Sequence, residues 1–198
     1  MNYTIKRLIG GICSDNAQIK RGFFLGAVSI LKEFKQVIDV DKLIKYISAE
    51  TKVSGGMKKS EIHSNEMARM LCLSALVESS LLIDSKKKQL SDVVEMLVTI
   101  YKQQEFLRES IQVIFDKVFR ANSGSVKIFD YIVEKLLVED CGEGSKLMDN
   151  VACSSSHLSL FLRLRRVNLD GVMDKRTVEY SELMDFNILQ SAKHLTLL

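Results

Sequence analysis

Apolar residues recur along this chain at spacings of three and four, the period of a helix with one buried face. Ile5, Leu8, Ile9 and Ile12 mark a first helix over residues 2–12. Ile19, Phe23, Ala27, Ile30, Leu31 and Phe34 mark a second, with Ser14 or Asp15 where an N-cap belongs. Asp39 or Asp41 opens a short third helix carrying Leu43, Ile44 and Ile47, and a polar loop over 51–60 follows. The fourth helix, residues 61–83, is apolar nearly all round from Met70 to Val77, the pattern of a helix with neighbours on every side. Lys86-Lys87-Lys88 reads as a charged turn, and Ser91 or Asp92 as the cap of a fifth helix through Tyr101. The sixth, over 105–120, is expected to bury Phe106, Leu107, Ile111, Ile114, Phe115 and Val118. Asn122-Ser123-Gly124 turns the chain into a seventh helix with Phe129, Ile132 and Leu136, and an eighth is expected over 158–167.

No alternating run suggests a strand, so the fold class is all-α. The helices fall into pairs of about 40 residues, at 2–35, 41–84, 91–121 and 125–167, a spacing that suits a HEAT/armadillo-like solenoid of antiparallel helix pairs. A compact irregular helical domain is the alternative, because the pairs do not align residue by residue. The expected division is a helical-repeat domain over 1–167 and a less regular segment over 168–198, with a capping helix over 186–197.

Composition narrows this only a little. There are 198 residues, 46% hydrophobic and 27% charged, with no proline to interrupt helices. The net charge of +3 implies nothing by itself, but residues 1–35 carry six basic against two acidic side chains. Cys13, Cys72, Cys141 and Cys153 are far apart, which predicts free thiols and no zinc site. Lys6, Arg7 and two glycines interrupt the first apolar run, so no signal peptide is expected. The apolar stretch from Gly22 to Leu31 falls well short of the roughly 20 residues a bilayer requires. A soluble, non-secreted chain is therefore expected, with no membrane partner.

Catalytic patterns are absent from the sequence. His63, His157 and His194 lack partners at metal or triad spacing, and there is no P-loop or G-x-S-x-G. Asp39-Val40-Asp41 is a D-x-D of the kind a two-metal site uses, yet its place before an apolar run makes it a helix cap. Cys153-Ser154-Ser155-Ser156-His157 reads as a polar turn, and Gly142-Glu143-Gly144-Ser145-Lys146 has the wrong spacing for a phosphate loop. The expectation is no enzyme, no cofactor, no metal and no small-molecule substrate.

Basic clusters are the remaining candidates. Lys6-Arg7 and Lys20-Arg21 sit off the apolar faces of adjacent helices, where they would converge on one side of the hairpin. Lys58-Lys59 lie in the polar loop. Together these six are the expected contacts for nucleic acid or a protein partner, since clustered ammonium and guanidinium groups neutralise phosphates. Solvated polar faces explain them equally. Gly10, Gly11, Gly22 and Gly26 are read as architecture: close helix packing would offset their cost, with Gly22 and Gly26 one turn apart on one side.

Four blocks then carry a resemblance. Tyr3…Lys6-Arg7-Leu8-Ile9…Gly11…Ser14 with Arg21-Gly22-Phe23 comes first. Ala68-Arg69-Met70-Leu71 with Ser80-Leu81-Leu82 is next, then Glu105-Phe106-Leu107-Arg108-Glu109-Ser110, then Ser159-Leu160-Phe161-Leu162-Arg163-Leu164. In order and rough spacing this series resembles the DNA polymerase phi / Myb-binding protein 1A family. Gly10, Ala68 and Phe106 stand where that family has Arg, Gly and Trp. Its members are several times longer, with an acidic stretch and a basic tail, so a fragment or reduced version is expected. The resemblance implies a non-enzymatic nucleolar scaffold in rRNA synthesis and ribosome biogenesis, meeting preribosomal proteins, rRNA or rDNA-associated protein. The alternative it implies is a transcription co-regulator that binds amphipathic segments of transcription factors.

Overall fold

The computed structural model describes residues 3–83 and 87–121, together with 132, 135 and 136. The chain divides into two compact units, Met1–Ala121 and Asn122–Leu198. The expected seventh and eighth helices, the tail and the boundary at residue 167 lie outside the described residues. In the first unit every regular element is helical: α1 (Tyr3–Ile12), α2 (Ala17–Glu33), α3 (Val40–Glu50), α4 (Lys59–Glu78), α5 (Lys87–Gln103), a 3-10 turn (Glu105–Leu107) and α6 (Arg108–Ala121).

Local chemistry sets the helix starts. Asn16 caps α2, its Oδ1 accepting from the backbone N–H of Gln18 and Ile19 at 2.9 and 3.1 Å. The expected caps Ser14 and Asp15 are otherwise engaged. Ser14 Oγ accepts from the Asn16 N–H, and Asp15 accepts from Ser64 Oγ on α4. Asp39 does cap α3, accepting from the Lys42 N–H at 3.1 Å. That bond and the Lys42 ammonium hold its carboxyl below the usual range. Helix α5 already includes Lys87, ahead of the expected caps Ser91 and Asp92, and Gln89 and Leu90 are buried on it.

Helix α4 is the centre of the unit. All six residues from Cys72 to Val77 are buried, and α1, α2, α3, α5 and α6 each pack against it. It stops at Glu78, five residues before the expected end, and Ser80 follows in the left-handed region at φ 59°. Neighbouring helices run in identifiable senses. Gly11 meets Phe23 and Leu8 meets Gly26, so α1 and α2 are antiparallel. Asp15 bonds Ser64 and Lys20 lies near Cys72, so α2 and α4 run the same way. His63 against Phe106 and Glu78 paired with Lys117 give α4 and α6 a common sense too. Lys6 lies over Tyr46 and Cys13 lies near Glu50, which aligns α1 with α3.

Two arginines close helix ends. Arg69 of α4 donates from Nε to Thr51 Oγ1 at 2.9 Å and from a terminal nitrogen to the Thr51 carbonyl, at the end of α3. Its other terminal nitrogen pairs with buried Glu66 at 3.2 Å. Asn65 adds a bond to the Lys52 carbonyl. Arg108 does the same for α5, donating to the Tyr101 carbonyl at 3.2 Å while its guanidinium lies over the Tyr101 ring. Carbonyls that a helix end leaves without intrahelical donors are thus met by cations that also suit the negative end of the dipole.

Three apolar expectations need correction. Phe34 follows the last turn of α2 and is exposed, and Ile19 is exposed on the first turn. Phe106 is half exposed because the 3-10 turn lays its ring on His63, with centroids 4.9 Å apart, instead of in the core. The glycine reading also changes. A Cβ on Gly11 would fall 2.2 Å from the Phe23 ring, so that glycine lets the helices approach. Gly22 and Gly10 face open space, and nothing in the structure explains a glycine at either position.

Two outcomes follow for stability. Gly11→Ala is expected to cost about 1–3 kcal/mol through overpacking, whereas Gly22→Ala gains about 0.5–1 kcal/mol, both read by urea denaturation. Arg69→Ala is expected to cost about 3–5 kcal/mol, because it leaves Glu66 charged and buried without its partner. Burial raises the Glu66 carboxyl, with Arg69 opposing. Its neutral form therefore favours folding: that contribution is full below the ordinary glutamate value of 4.5 and is lost as pH rises through the raised one. Glu66→Gln should flatten the stability slope in that window, and an unchanged slope would remove Glu66 as its source.

Candidate functional site

Among the described residues no group of three or more His, Cys, Asp or Glu side chains is placed to hold a metal. No described helix is long and apolar enough to cross a membrane. His63 is the fifth residue of α4, half-buried against Phe106, where a solvated helix start was expected. His157, His194, the Cys153–His157 run and the Gly142–Lys146 segment lie outside the described residues. Cys13 and Cys72 are free thiols. Burial is the main cause that pushes both up from the ordinary thiol value; Glu50 adds to this and Lys20 opposes it. A thiol held protonated is a poor nucleophile.

The six basic candidates separate into distinct places. Lys6 and Arg7 are exposed on α1, and the Lys6 ammonium lies 5.7 Å from the centre of the Tyr46 ring. Burial and the Glu50 carboxylate push the Tyr46 phenol up. Arg21 is exposed on α2. Lys58 and Lys59 are exposed at the start of α4, where the Lys58 N–H donates to Glu61 at 2.9 Å.

Lys20 is the correction. It is only 8% exposed and shares the buried side of α2 with Ala27 and Leu31. Its aliphatic stem is buried, as long cationic side chains often bury theirs, and its charge opposes the rise at Cys13 and Cys72. The hairpin also fails to bring Lys6-Arg7 and Lys20-Arg21 together. With Gly11 opposite Phe23, Lys20 falls opposite about residue 14, roughly 12 Å along the axis from Lys6 at 1.5 Å per residue.

An apolar cavity that the periodicity did not reveal lies at the other end of the hairpin. Its volume is about 450 Å³, and Ile5, Ile30, Phe34, Val37, Ile38 and Leu43 form its apolar lining. Thr4, Asp39 and Lys42 supply the polar edge, with Lys42 Nζ 3.0 Å from the Asp39 carboxylate. One signal for it was present in the sequence. Phe34, Val37 and Ile38 continue the apolar character of α2 past its end, into a segment that buries Val37 and Phe34 poorly.

Lys20→Met should leave stability within about 1 kcal/mol of the parent, since the stem's packing volume is kept. Lys20→Glu should lower the melting temperature by several degrees, while Arg21→Glu leaves it unchanged. Equal melting temperatures for all three would return Lys20 to the surface.

Comparison with known proteins places this arrangement. No curated protein and no solved structure matches the chain. A family model described as DNA polymerase phi matches residues 3–146, from the first turn of α1 past the end of α6. With well over half of its length covered, the chain belongs to the DNA polymerase phi family.

Proposed function

We propose that this chain is a non-enzymatic helical-repeat scaffold of the nucleolus, acting in rRNA synthesis and ribosome biogenesis by docking on preribosomal proteins, rRNA or rDNA-associated protein. Family membership over residues 3–146 is the observation that carries the reading. The HEAT/armadillo-like arrangement belongs to the same proposal. It is supported by the common sense of α1 with α3, and of α2, α4 and α6, because stacked antiparallel pairs place equivalent helices side by side. Lys6, Arg7, Arg21, Lys58 and Lys59 are the contact residues in this reading, with Lys20 set aside as interior.

A second reading has its own support. A transcription co-regulator that takes amphipathic segments of transcription factors requires an apolar groove between helices, and the cavity bounded by α1, α2 and α3 has that character.

Affinity purification of the tagged full chain, followed by RNA sequencing and mass spectrometry, separates the two. Pre-rRNA with assembly factors is the result expected of the scaffold. Recovery of transcription regulators alone would overturn it in favour of the co-regulator. Within the scaffold reading, the double charge reversal Arg7→Glu with Arg21→Glu should lower pre-rRNA recovery several-fold without changing the melting temperature, because both side chains are exposed.

A further inference from the structure

Tyr3 opens α1 with its ring in solvent. It is 73% exposed, more than any other aromatic side chain described. Arg7 and Gly10 follow at i+4 and i+7 on the same outward stripe of the helix, and both are exposed. Among the described residues neither Tyr3 nor Arg7 has a hydrogen-bond or ionic partner. Lys6 flanks the stripe, its ammonium 5.7 Å from the centre of the Tyr46 ring. One turn apart, Tyr3 and Arg7 hold their Cβ atoms roughly 5–6 Å from each other. An exposed ring beside a free guanidinium suits a nucleotide, with the base on the ring and the phosphate on the cation.

The hairpin that carries this stripe is nearly free of negative charge. Helix α1 has no carboxylate, α2 has only its last residue, Glu33, and Asp15 between them is bonded to Ser64. Gly10 is an independent observation. A Cβ there meets nothing within 4 Å, so packing inside the chain gives no reason for a residue that weakens its helix. Bare backbone at that point lets a partner strand lie close against α1. The stripe holds no aliphatic side chain, so it lacks the apolar centre of a protein interface. We infer that the outward face of α1 binds an unpaired RNA strand, with a base stacked on Tyr3 and a phosphate on Arg7. The inference rests on the RNA contact given under Proposed function and adds the unpaired class, together with Tyr3 and Gly10. In a duplex the base faces are covered by their neighbours, so Tyr3 finds nothing there to stack on.

The test uses the purified full chain and two fluorescein-labelled RNAs, read by fluorescence anisotropy. One is a mixed-sequence strand of about 12 nucleotides, and the other is the same strand paired with its complement. The unpaired strand should bind at least about fivefold tighter than the duplex. Tyr3→Ala should weaken the strand about fivefold or more and leave the duplex unchanged, and Tyr3→Phe should keep most of the parent's affinity. Arg7→Gln should reduce the slope of log affinity against log salt by about 0.7, a slope that Tyr3→Ala leaves alone. Gly10→Leu should weaken the strand about fivefold or more while the melting temperature stays equal or rises, since leucine is the better helix former. Equal binding of both RNAs, weakened in Arg7→Gln, would overturn the unpaired class and leave the RNA contact standing. If neither RNA binds, both fail. Strand binding that either Tyr3→Ala or Gly10→Leu leaves intact would also overturn the inference.

Discussion

The demand that α4 be covered on every side governs the rest of the first unit. A helix with six consecutive buried residues cannot satisfy its surface with one partner, and five helices surround it. Burying apolar area stabilises by about 25 cal/mol per Å², so contact with α4 limits where the other helices can go. Several polar residues on α4 are committed to its neighbours. Glu66 pairs with Arg69, Arg69 closes α3, and Ser64 bonds Asp15 before α2. Arg69 and Ser64 thus tie α4 to the end of α3 and the start of α2.

This gives physical meaning to the blocks by which the family is recognised. Arg69 and Arg108 stand inside two of them, and both spend their donors on helix C-termini, at Thr51 and Tyr101. Gly11, in the first block, admits the Phe23 ring, also in that block. The first three blocks thus hold joints between helices; the fourth, over 159–164, lies outside the described residues. Residues free to meet a partner lie between or beside those joints: Lys6, Arg7 and Arg21 on outward faces, and Phe34 and Val37 at the groove.

Much of this was legible from spacing. All six helices of the first unit stand where the three-and-four pattern put them, and Asp39 caps α3 as its position before an apolar run required. Ends were less legible. Nothing local distinguishes Asn16 from Ser14 or Asp15 as a cap, because the choice depends on Ser64, almost fifty residues away. Ser91 and Asp92 lie inside α5 and not at its start. Lys20 was misjudged for a related reason: lysine reads as polar, while most of its length is methylene. Of the cavity only the apolar run past the end of α2 was legible, because its walls come from α1, the segment after α2 and the start of α3.

By itself, then, the sequence determined which stretches of the first unit are helical, that α4 must be central, and which family the chain resembles. Those are consequences of periodicity, apolar content and motif order, all of which are local or read in series. Tertiary structure alone decided which helix ends are clamped, that Lys20 is interior, and that an apolar cavity forms between α1, the end of α2 and the start of α3. These depend on the register between helices. Register is set by how individual side chains such as the Phe23 ring and the Arg69 guanidinium fit against a partner far along the chain.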